Sequence, residues 1–168
     1  AYLADFLAAP EERDVLKELE GLPFHDVRMH GVVARRQVFH VGLVYGYESW
    51  KLTPGPPIPD FLVPLRNRIA PLLDCQPGDV AQILVTKYPP GAGIGWHRDS
   101  PMFGPAVVGL SLLSPCRFRF QRRVGPVRKT FERILEPRSA YVLSGEARSH
   151  WQHSIPATKG LRYSITFR

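Results

Sequence analysis

From residue 79 to the carboxyl terminus, apolar and polar residues alternate with a period of two. Successive side chains of a strand point to opposite faces, so this alternation predicts a series of short, half-buried strands. The first places Leu84, Thr86 and Tyr88 on one face and Ile83 and Val85 on the other. Short strands separated by glycine and proline turns favour a β-sandwich or jelly roll. Further strand candidates cover residues 105–113, 116–123, 128–136, 139–144, 149–155 and 161–168.

The amino-terminal part has a different pattern. Residues 10–21 predict a short helix, because a proline lies near its start, acids fill its first turn and a glycine follows its end. Residues 41–47 form a strand candidate with two glycines that indicate a bend or bulge. The proline-rich residues 53–59 predict an irregular loop, and residues 60–73 a short or kinked helix. We therefore expect an α+β, mainly β fold in which the helices brace one sheet from outside.

The last strand candidate carries an unusual polar face. Arg162, Ser164, Thr166 and Arg168 lie on one side of it, and the other side is apolar. Two arginines on the face of an otherwise buried strand are costly without an anion. Arginine binds carboxylates through two parallel hydrogen bonds and does not lose its charge. The pattern therefore indicates an anion site, and the alternative is an edge strand whose polar face is solvated.

Two histidines and an aspartate form a candidate metal site. His97 and Asp99 are two residues apart, so they can share one ion at a strand edge. The glycine-rich residues 89–95 before them let the backbone pass close to a ligand. His153 follows after enough chain to cross several strands and return. Two imidazoles and one carboxylate are the ligand set of non-haem Fe(II) oxygenases, which leaves coordination positions open.

Other interpretations of these residues are open at this level. A His-x-Asp pair is often a surface hydrogen-bonding pair, and His150 is a rival ligand to His153. A zinc hydrolase uses the same donor types. The arginine-bearing strand favours the oxygenase, because Arg162 and Arg168 are suited to hold a dianionic co-substrate.

Composition limits the remaining classes. A chain of 168 residues suits one domain, and no apolar run approaches the ~20 residues that span a bilayer. The first residues lack the pattern of a signal peptide, so we expect a cytoplasmic protein without a membrane partner. We also expect the protein to be a monomer. Cys75 and Cys116 are expected to be free thiols. The net charge of +7 favours nucleic acid as a partner.

Three stretches of the sequence together resemble the AlkB-like Fe(II)/2-oxoglutarate-dependent dioxygenases. The similarity covers roughly residues 22–168, and it implies a double-stranded β-helix, that is, a jelly roll. It also implies that residues 1–168 form a single AlkB-like dioxygenase domain. The three stretches are residues 86–99 with His97-Arg98-Asp99 at their end, residues 153–155, and the closing Arg162-Tyr163-Ser164-Ile165-Thr166-Phe167-Arg168.

The resemblance implies a role for each residue of the site. His97, Asp99 and His153 would hold Fe(II) and so carry the catalysis, with 2-oxoglutarate and O₂ as co-substrates. Arg162 and Tyr88 would bind the distal carboxylate of 2-oxoglutarate. The carboxylate nearer the metal would face Arg168 and Thr86, a threonine where the family usually has asparagine. The rest of the pocket lining would be Leu84, Ile94, Ser164 and Thr166.

The implied reaction is the oxidative removal of N-methyl groups from nucleic-acid bases, an activity of the DNA/RNA alkylation-damage repair type. The target base must be unstacked to reach the metal. Residues 22–50 resemble the family's nucleotide-recognition lid, in which Tyr45 and Tyr47 would lie beside the base. Ser100-Pro101-Met102 stand where repair enzymes often carry another acid. The basic residues expected to contact phosphates are Arg28, Arg35 and Arg36.

Two other functions compete with this one. The first is a 2-oxoglutarate oxygenase that acts on a protein side chain or a small molecule. The second is a non-catalytic binding module on the same fold. Salt-sensitive oligonucleotide binding would count against the first, and succinate production that depends on His97 would exclude the second.

Overall fold

The computed structural model describes residues 1–29, 31–45 and 52–168 of the chain. Three helices are found there, α1 (Ala9–Glu20), α2 (Val63–Ile69) and α3 (Gly145–Ser149). Short 3₁₀ turns cover Asp60–Leu62, Ala70–Leu73, Pro77–Asp79 and Pro101–Phe103. The strands are β1 (Tyr2–Leu3), β2 (His25–Met29), β3 (Val32–Tyr45), β4 (Leu52–Pro54), β5 (Gln82–Tyr88), β6 (Ile94–His97), β7 (Ala106–Leu112), β8 (Cys116–Val124), β9 (Val127–Leu135), β10 (Ser139–Ser144), β11 (Gln152–Ile155) and β12 (Arg162–Phe167).

Within the described residues the strands form two antiparallel sheets. The major sheet has the order β1-β10-β7-β12-β5-β3-β2, with β4 paired to β3. The minor sheet has the order β6-β11-β8-β9. Sequential strands pass from one sheet to the other, as in a jelly roll. The predicted α+β, mainly β jelly roll is therefore confirmed.

Two apolar clusters hold the layers together. The larger one lies between the helices and the outer face of the major sheet, where Leu19 of α1 and Ile69 of α2 pack with Ile165 of β12. The smaller one lies between the sheets and includes Phe118 and Leu143. The predicted helical bracing is thus present. No helix in the described part of the chain is long and apolar enough to cross a membrane.

The amino-terminal elements follow the predictions with one correction. The predicted bend in residues 41–47 occurs at Gly42, whose φ is +78° and which lies too close to the Ala81 carbonyl for any side chain. The helix predicted from Asp60 is interrupted as expected, with 3₁₀ turns on both sides of α2. The proline-rich loop was predicted to be irregular, but its start belongs to β4. Pro54 can end this short strand because, among the strands that the structure describes, β4 pairs only with β3.

The strand predicted over residues 149–155 begins too early. Residues 145–149 form α3, and β11 starts only at Gln152. Gly145 has a positive φ of +54°, which breaks the extended conformation directly after β10. The chain therefore makes a helical turn before it enters the minor sheet.

Strand register defines two ends of the jelly roll. β5 runs from Gln82, which exchanges backbone hydrogen bonds with Arg168, to Tyr88, which pairs with Arg162. The chain then turns, and β6 runs back to His97. We call the end with Gln82, His97 and Arg168 the open end, because the residues after β6 and before β11 are largely exposed there. The end with Tyr88 and Arg162 is the closed end.

Candidate metal centre and co-substrate pocket

His97, Asp99 and His153 converge at the open end. His97 and His153 are direct cross-strand partners on β6 and β11, and Asp99 follows β6 by two residues. Asp99 Oδ1 lies 3.7 Å from His97 Nε2 and 3.9 Å from His153 Nε2. The three donor atoms lie within 4.8 Å of one another, a spacing that suits one ion. The rival ligand His150 is exposed, with its Nδ1 2.8 Å from the Ser149 hydroxyl.

The surroundings of the two histidines direct their Nε2 atoms to the centre. His97 Nδ1 lies 2.9 Å from the Gly95 carbonyl, so it donates there and leaves the Nε2 lone pair for a metal. His153 is buried against the rings of Phe118 and Phe120, with centroids 5.3 and 6.3 Å away. Burial lowers the pKa of His153 to about 4. Its imidazole is therefore neutral at pH 7, which is the form that binds metals.

Asp99 is held as an ionised carboxylate by neighbouring cations. Burial alone would raise its pKa, but Arg168, the two histidines and Arg148 outweigh burial and lower the pKa below its usual value. Arg168 Nη2 lies 3.5 Å from Asp99 Oδ1. Arg148 donates to the backbone carbonyls of Asp99 and Ser100 at 2.8 and 2.5 Å. The loop that carries the carboxylate is thus fixed through its backbone as well.

Arg162 is a fully buried cation at the closed end of the pocket. Its Nη2 donates to the Ser111 hydroxyl at 3.3 Å, and its Cζ lies 5.1 Å from the ring centroid of Tyr88. Its Nε and Nη1 have no hydrogen-bond partner among the described residues. A buried guanidinium without an anion costs several kcal/mol. The arrangement therefore fits an anionic ligand that enters between the sheets.

Hydroxyl groups line the pocket between the two arginines. Thr86, Ser164 and Ser111 are successive cross-strand neighbours on β5, β12 and β7. The next row contains Leu84 and Thr166. All five are buried, and the strand face that holds them also carries Arg162 and Arg168. Such a surface offers donors to a ligand that bears carboxylates at both ends.

Arg168 ends this face at the open end. Its Nη1 donates to Gln82 Oε1 at 3.3 Å, and its Cζ lies 4.5 Å from the ring centroid of Phe103. Its Nε has no partner among the residues described. Arg168 therefore connects the Asp99 carboxylate to the pocket. Ile94 lies at the start of β6 and packs against the cluster between the sheets.

Tyr141 is part of this interior, and the sequence did not single it out. Its ring lies across Gly109, the cross-strand partner of both Tyr141 and Thr166. Any side chain at residue 109 would collide with the ring. Burial, and then the negative charge of Asp99, raise the pKa of Tyr141. Its hydroxyl therefore stays protonated and is available as a hydrogen-bond donor.

Sequence reasoning also missed Arg148, Ser111, Gln82 and Phe103. The alternation of β7 contains the signal for Ser111, because it shares a strand face with Gly109. Arg148 had no such signal, because it lies between the strands predicted over residues 139–144 and 149–155, in a helix that the sequence did not predict. Its backbone-fixing role follows only from the contact between α3 and the Asp99 loop.

The predicted substrate residues are not gathered at the metal ligands. Arg28 lies on β2, and Arg35 and Arg36 lie on the part of β3 before the Gln37–Lys87 pair. This is the opposite end of β3 from Gly42, which pairs with Gln82 at the open end. The Tyr45 side chain and the whole of Tyr47 lie outside the described residues. Their predicted roles stay predictions.

Comparisons with known proteins agree with this geometry. A family model for the 2OG-Fe(II) oxygenase superfamily matches residues 1–168. The alkylated DNA repair protein ALKBH8 homolog of Arabidopsis thaliana is 29% identical over 182 residues, which cover 94% of this chain and 50% of that protein. The probable RNA/DNA demethylase ALKBH6 of Danio rerio is 26% identical over 129 residues, which cover 73% and 50%.

The fold itself has a close counterpart among solved structures. The structure of OsALKBH1 superposes with a TM-score of 0.76 at 18% identity, and covers 99% of this chain and 95% of that one. At this identity the likeness concerns the fold alone. The chain spans about half the length of each of the two sequence relatives named above.

Proposed function

Because the chain belongs to the 2OG-Fe(II) oxygenase superfamily and is an AlkB-like 2-oxoglutarate dioxygenase that uses Fe(II), 2-oxoglutarate and O₂, we propose that it oxidatively removes N-alkyl groups, above all methyl groups, from nucleic-acid bases. Iron, once bound, supplies the oxidising chemistry. The protein's residues bind the co-substrate, hold the methyl group near the metal and exclude water. Residues 1–168 act as one dioxygenase domain in this proposal.

We assign the metal to His97, Asp99 and His153. Three features support the assignment: the converging donor atoms, the orientation of His97 by the Gly95 carbonyl, and the neutral state of His153. Arg168 and Arg148 keep the carboxylate ionised and in place. Three protein ligands would leave coordination positions of the ion open to the co-substrates.

We assign 2-oxoglutarate to the pocket between the two buried arginines. Arg162 with Tyr88 binds the distal carboxylate, and Arg168 with Thr86 lies beside the carboxylate nearer the metal. The unpartnered Nε and Nη1 of Arg162 support this assignment, because a buried guanidinium is costly without an anion that accepts hydrogen bonds from it. The remaining lining residues are Leu84, Ile94, Ser164 and Thr166.

The observation that carries the choice of substrate is the uneven exposure of the metal ligands. The His97 side chain is 31% exposed, whereas those of Asp99 and His153 are 11% and 9% exposed. A group from solution therefore approaches the centre along the His97 side. A base that has been flipped out of its stack can reach that side, whereas a stacked base cannot. The basic charge and the names of the two relatives favour nucleic acid as the source of that group.

Residues 22–50 are proposed to act as the nucleotide-recognition lid of this enzyme. Tyr45 and Tyr47 lie beside the target base in this proposal, and Arg28, Arg35 and Arg36 contact phosphates. Alanine variants of the two tyrosines are expected to raise the KM for a methylated oligonucleotide and to leave the affinity for 2-oxoglutarate unchanged. An unchanged KM in both variants would remove the tyrosines from the substrate site.

A panel of methylated oligonucleotides tests the proposed function. Single- and double-stranded DNA and RNA are incubated with Fe(II), ascorbate and 2-oxoglutarate, and loss of the methyl group is scored by mass. We expect demethylation of at least one member, and none with the His97→Ala variant. Steady succinate production without any demethylation would instead favour a protein side chain or a small molecule as the substrate.

The predicted monomeric state and cytoplasmic location are separate from the chemistry. Sedimentation of the purified protein tests the first, and imaging of a fluorescent fusion tests the second. A stable dimer, or a fusion confined to an organelle, would contradict them.

A further inference from the structure

The hairpin of β8 and β9 carries almost all of the net charge. Residues 116–135 contain seven arginines and lysines against one glutamate, a net of +6 out of a formal +7 for the whole chain. The other residues are therefore close to neutral. Such a concentration on one element is the pattern expected of a polyanion-binding surface.

The register of the hairpin places like charges directly opposite each other. Arg122 pairs with Lys129, and Arg123 pairs with Arg128, in two consecutive cross-strand pairs beside the Gly125–Pro126 turn. Directly opposed like charges destabilise a sheet. Nearer the closed end, the same hairpin contains a pair of opposite charges, because Arg117 forms a salt bridge of 2.7 Å with Glu132. The tip therefore keeps an unfavourable arrangement that an anion would relieve.

Most of these tip charges have no acidic partner. Arg122 reaches Glu146 of α3 at 2.9 Å. In the part of the chain that the structure describes, no acid lies within ion-pair distance of Arg123, Arg128 or Lys129. All three are exposed. Their charges are available to a molecule from solution.

The tip extends beyond the metal ligands towards solvent. His97, His153, Phe120 and Phe131 form one transverse row across β6, β11, β8 and β9. Lys129 lies two residues further along β9, which is about 7 Å towards the open end, and the turn lies about 14 Å beyond the row. The charged tip thus forms one wall of the approach to the candidate metal centre.

An exposed aromatic ring lies on the edge strand β9, in the same row as His97 and His153 and on the same strand face as Lys129. Phe131 is 54% exposed, and its ring centroid is 5.9 Å from that of Phe120, which lies next to His153. It borders a cleft of about 290 Å³ between β9 and β10. An exposed ring beside basic residues matches the way single strands are bound, with bases stacked on aromatics and the backbone on cations.

We propose that the tip of the β8–β9 hairpin, with Lys129 and Phe131 on its inner face and Arg123 and Arg128 on its outer face, is a docking surface for single-stranded nucleic acid. The phosphates lie along the tip, and a base next to the target stacks on Phe131. This inference rests on the proposed function, because it adds the surface that delivers the strand to the metal. It differs from the lid, which lies on β2 and β3 of the other sheet.

Binding of an unmethylated, fluorescein-labelled single strand tests the charged part of the surface. Anisotropy is measured over a salt series for wild type, for Arg128→Gln/Lys129→Gln, and for the control Arg13→Gln/Lys17→Gln on α1, which removes the same charge elsewhere. We expect the slope of log affinity against log salt to fall by about 1.4 in the hairpin variant, and the affinity at ~0.1 M salt to fall on the order of 20-fold. An unchanged slope and affinity would overturn the proposal.

A second pair of variants tests the stacking position. Phe131→Ala removes the ring, whereas Ile134→Ala removes a similarly exposed apolar side chain, 42% exposed, from the opposite face of β9. We expect Phe131→Ala to weaken strand binding about fivefold or more, and Ile134→Ala to have little effect. Equal effects of the two variants would overturn the role of Phe131.

Binding and catalysis separate the two proposals. Wild type that demethylates a strand while the hairpin variants bind as tightly would refute the docking surface alone. Wild type that binds strands through the hairpin but demethylates none of the panel would refute the proposed function alone. Wild type that binds no single strand at low salt would refute the docking surface directly.

Discussion

Arginines occupy two contrasting regions of this protein. Arg162 and Arg168 are enclosed between the sheets, where strand register and stacked rings hold them. Arg123 and Arg128 stand at the exposed tip of the β8–β9 hairpin, opposite each other. A buried guanidinium is satisfied only by a ligand of matching shape, because water cannot replace the missing partner. An exposed one is hydrated and interacts with anions of many shapes through charge alone. The first region selects a molecule, and the second attracts a class of polymers.

The largest effect is expected at Asp99, the acid that Arg168 contacts in the interior. Asp99→Ala removes a metal ligand and the partner of Arg168, so we expect succinate formation to fall by at least about 1,000-fold. Asp14→Ala, on the exposed face of α1, serves as the control. Metal-dependent turnover that survives the loss of Asp99 would refute the ligand assignment.

Arg162→Met separates a ligand-binding role from a structural one. The methionine fills a similar volume without a charge, so the ligand-free protein should be as stable as wild type or more stable. The affinity for 2-oxoglutarate should fall about 100-fold, because the charge-assisted bonds to its carboxylate are lost. Thermal shift with and without 2-oxoglutarate measures both quantities. Arg128→Met at the hairpin tip should leave the thermal stabilisation by 2-oxoglutarate unchanged. An equal loss of that stabilisation in Arg128→Met would show that the effect is not specific to the buried arginine.

Low pH should destabilise the folded protein through a buried histidine, whereas an exposed histidine should contribute little. His40 lies on the inner face of β3, and burial, with His25 and Arg168, lowers its pKa to about 4 from the usual 6.5. Below pH 6.5 the unfolded chain takes up a proton that the folded protein does not, so stability is lost as pH falls towards 4. The loss between pH 7 and 4.5 is about 2.5 kcal/mol for this group.

Urea unfolding of the metal-free protein at the two pH values measures that loss. We expect His40→Gln to remove about half of the measured loss, because the buried His153 has a similarly lowered pKa, and we expect His150→Gln, an exposed histidine, to leave the loss unchanged. The same acid sensitivity in His40→Gln as in wild type would show that other groups account for it.

The smallest effect is expected at the hairpin tip. Arg128→Glu places an acid opposite Arg123, so the cross-strand repulsion becomes an attraction worth about 0.5 kcal/mol. The variant should unfold at slightly higher denaturant, and should bind single strands less tightly. A variant that is both less stable and weaker in binding would indicate that Arg128 supports the fold instead.

Much of the enclosed region could be predicted from the sequence. Two-residue periodicity located β5, β7, β8, β9, β10 and β12, and it placed Arg162 and Arg168 on one face. Periodicity could not locate Arg148, because its contacts depend on how α3 meets the Asp99 loop. Nor could it find Tyr141 over Gly109, since that contact requires the pairing of β10 with β7.

The cross-strand arrangement of the β8–β9 hairpin, by contrast, could not be predicted from the sequence. The sequence displayed its basic residues and the alternation of Phe118 and Phe120, but not which charges oppose each other. Cross-strand partners depend on the length of the turn at Gly125–Pro126, and a shift by one residue would exchange the two faces. The like-charge pairs, and the row that links Phe131 to the metal ligands, therefore became visible only in three dimensions.

The position of β9 at the edge of the minor sheet has a consequence for how such a protein can change. Both candidate metal-binding histidines lie on β6 and β11, and β8 separates those strands from β9. Residues inserted at the Gly125–Pro126 turn would lengthen the hairpin outwards without moving either histidine. The length over which the hairpin contacts a substrate can thus change without any change at the metal-binding residues. Relatives that differ only in the length of this turn would contact the substrate at different distances from the metal while keeping the same metal-binding strands.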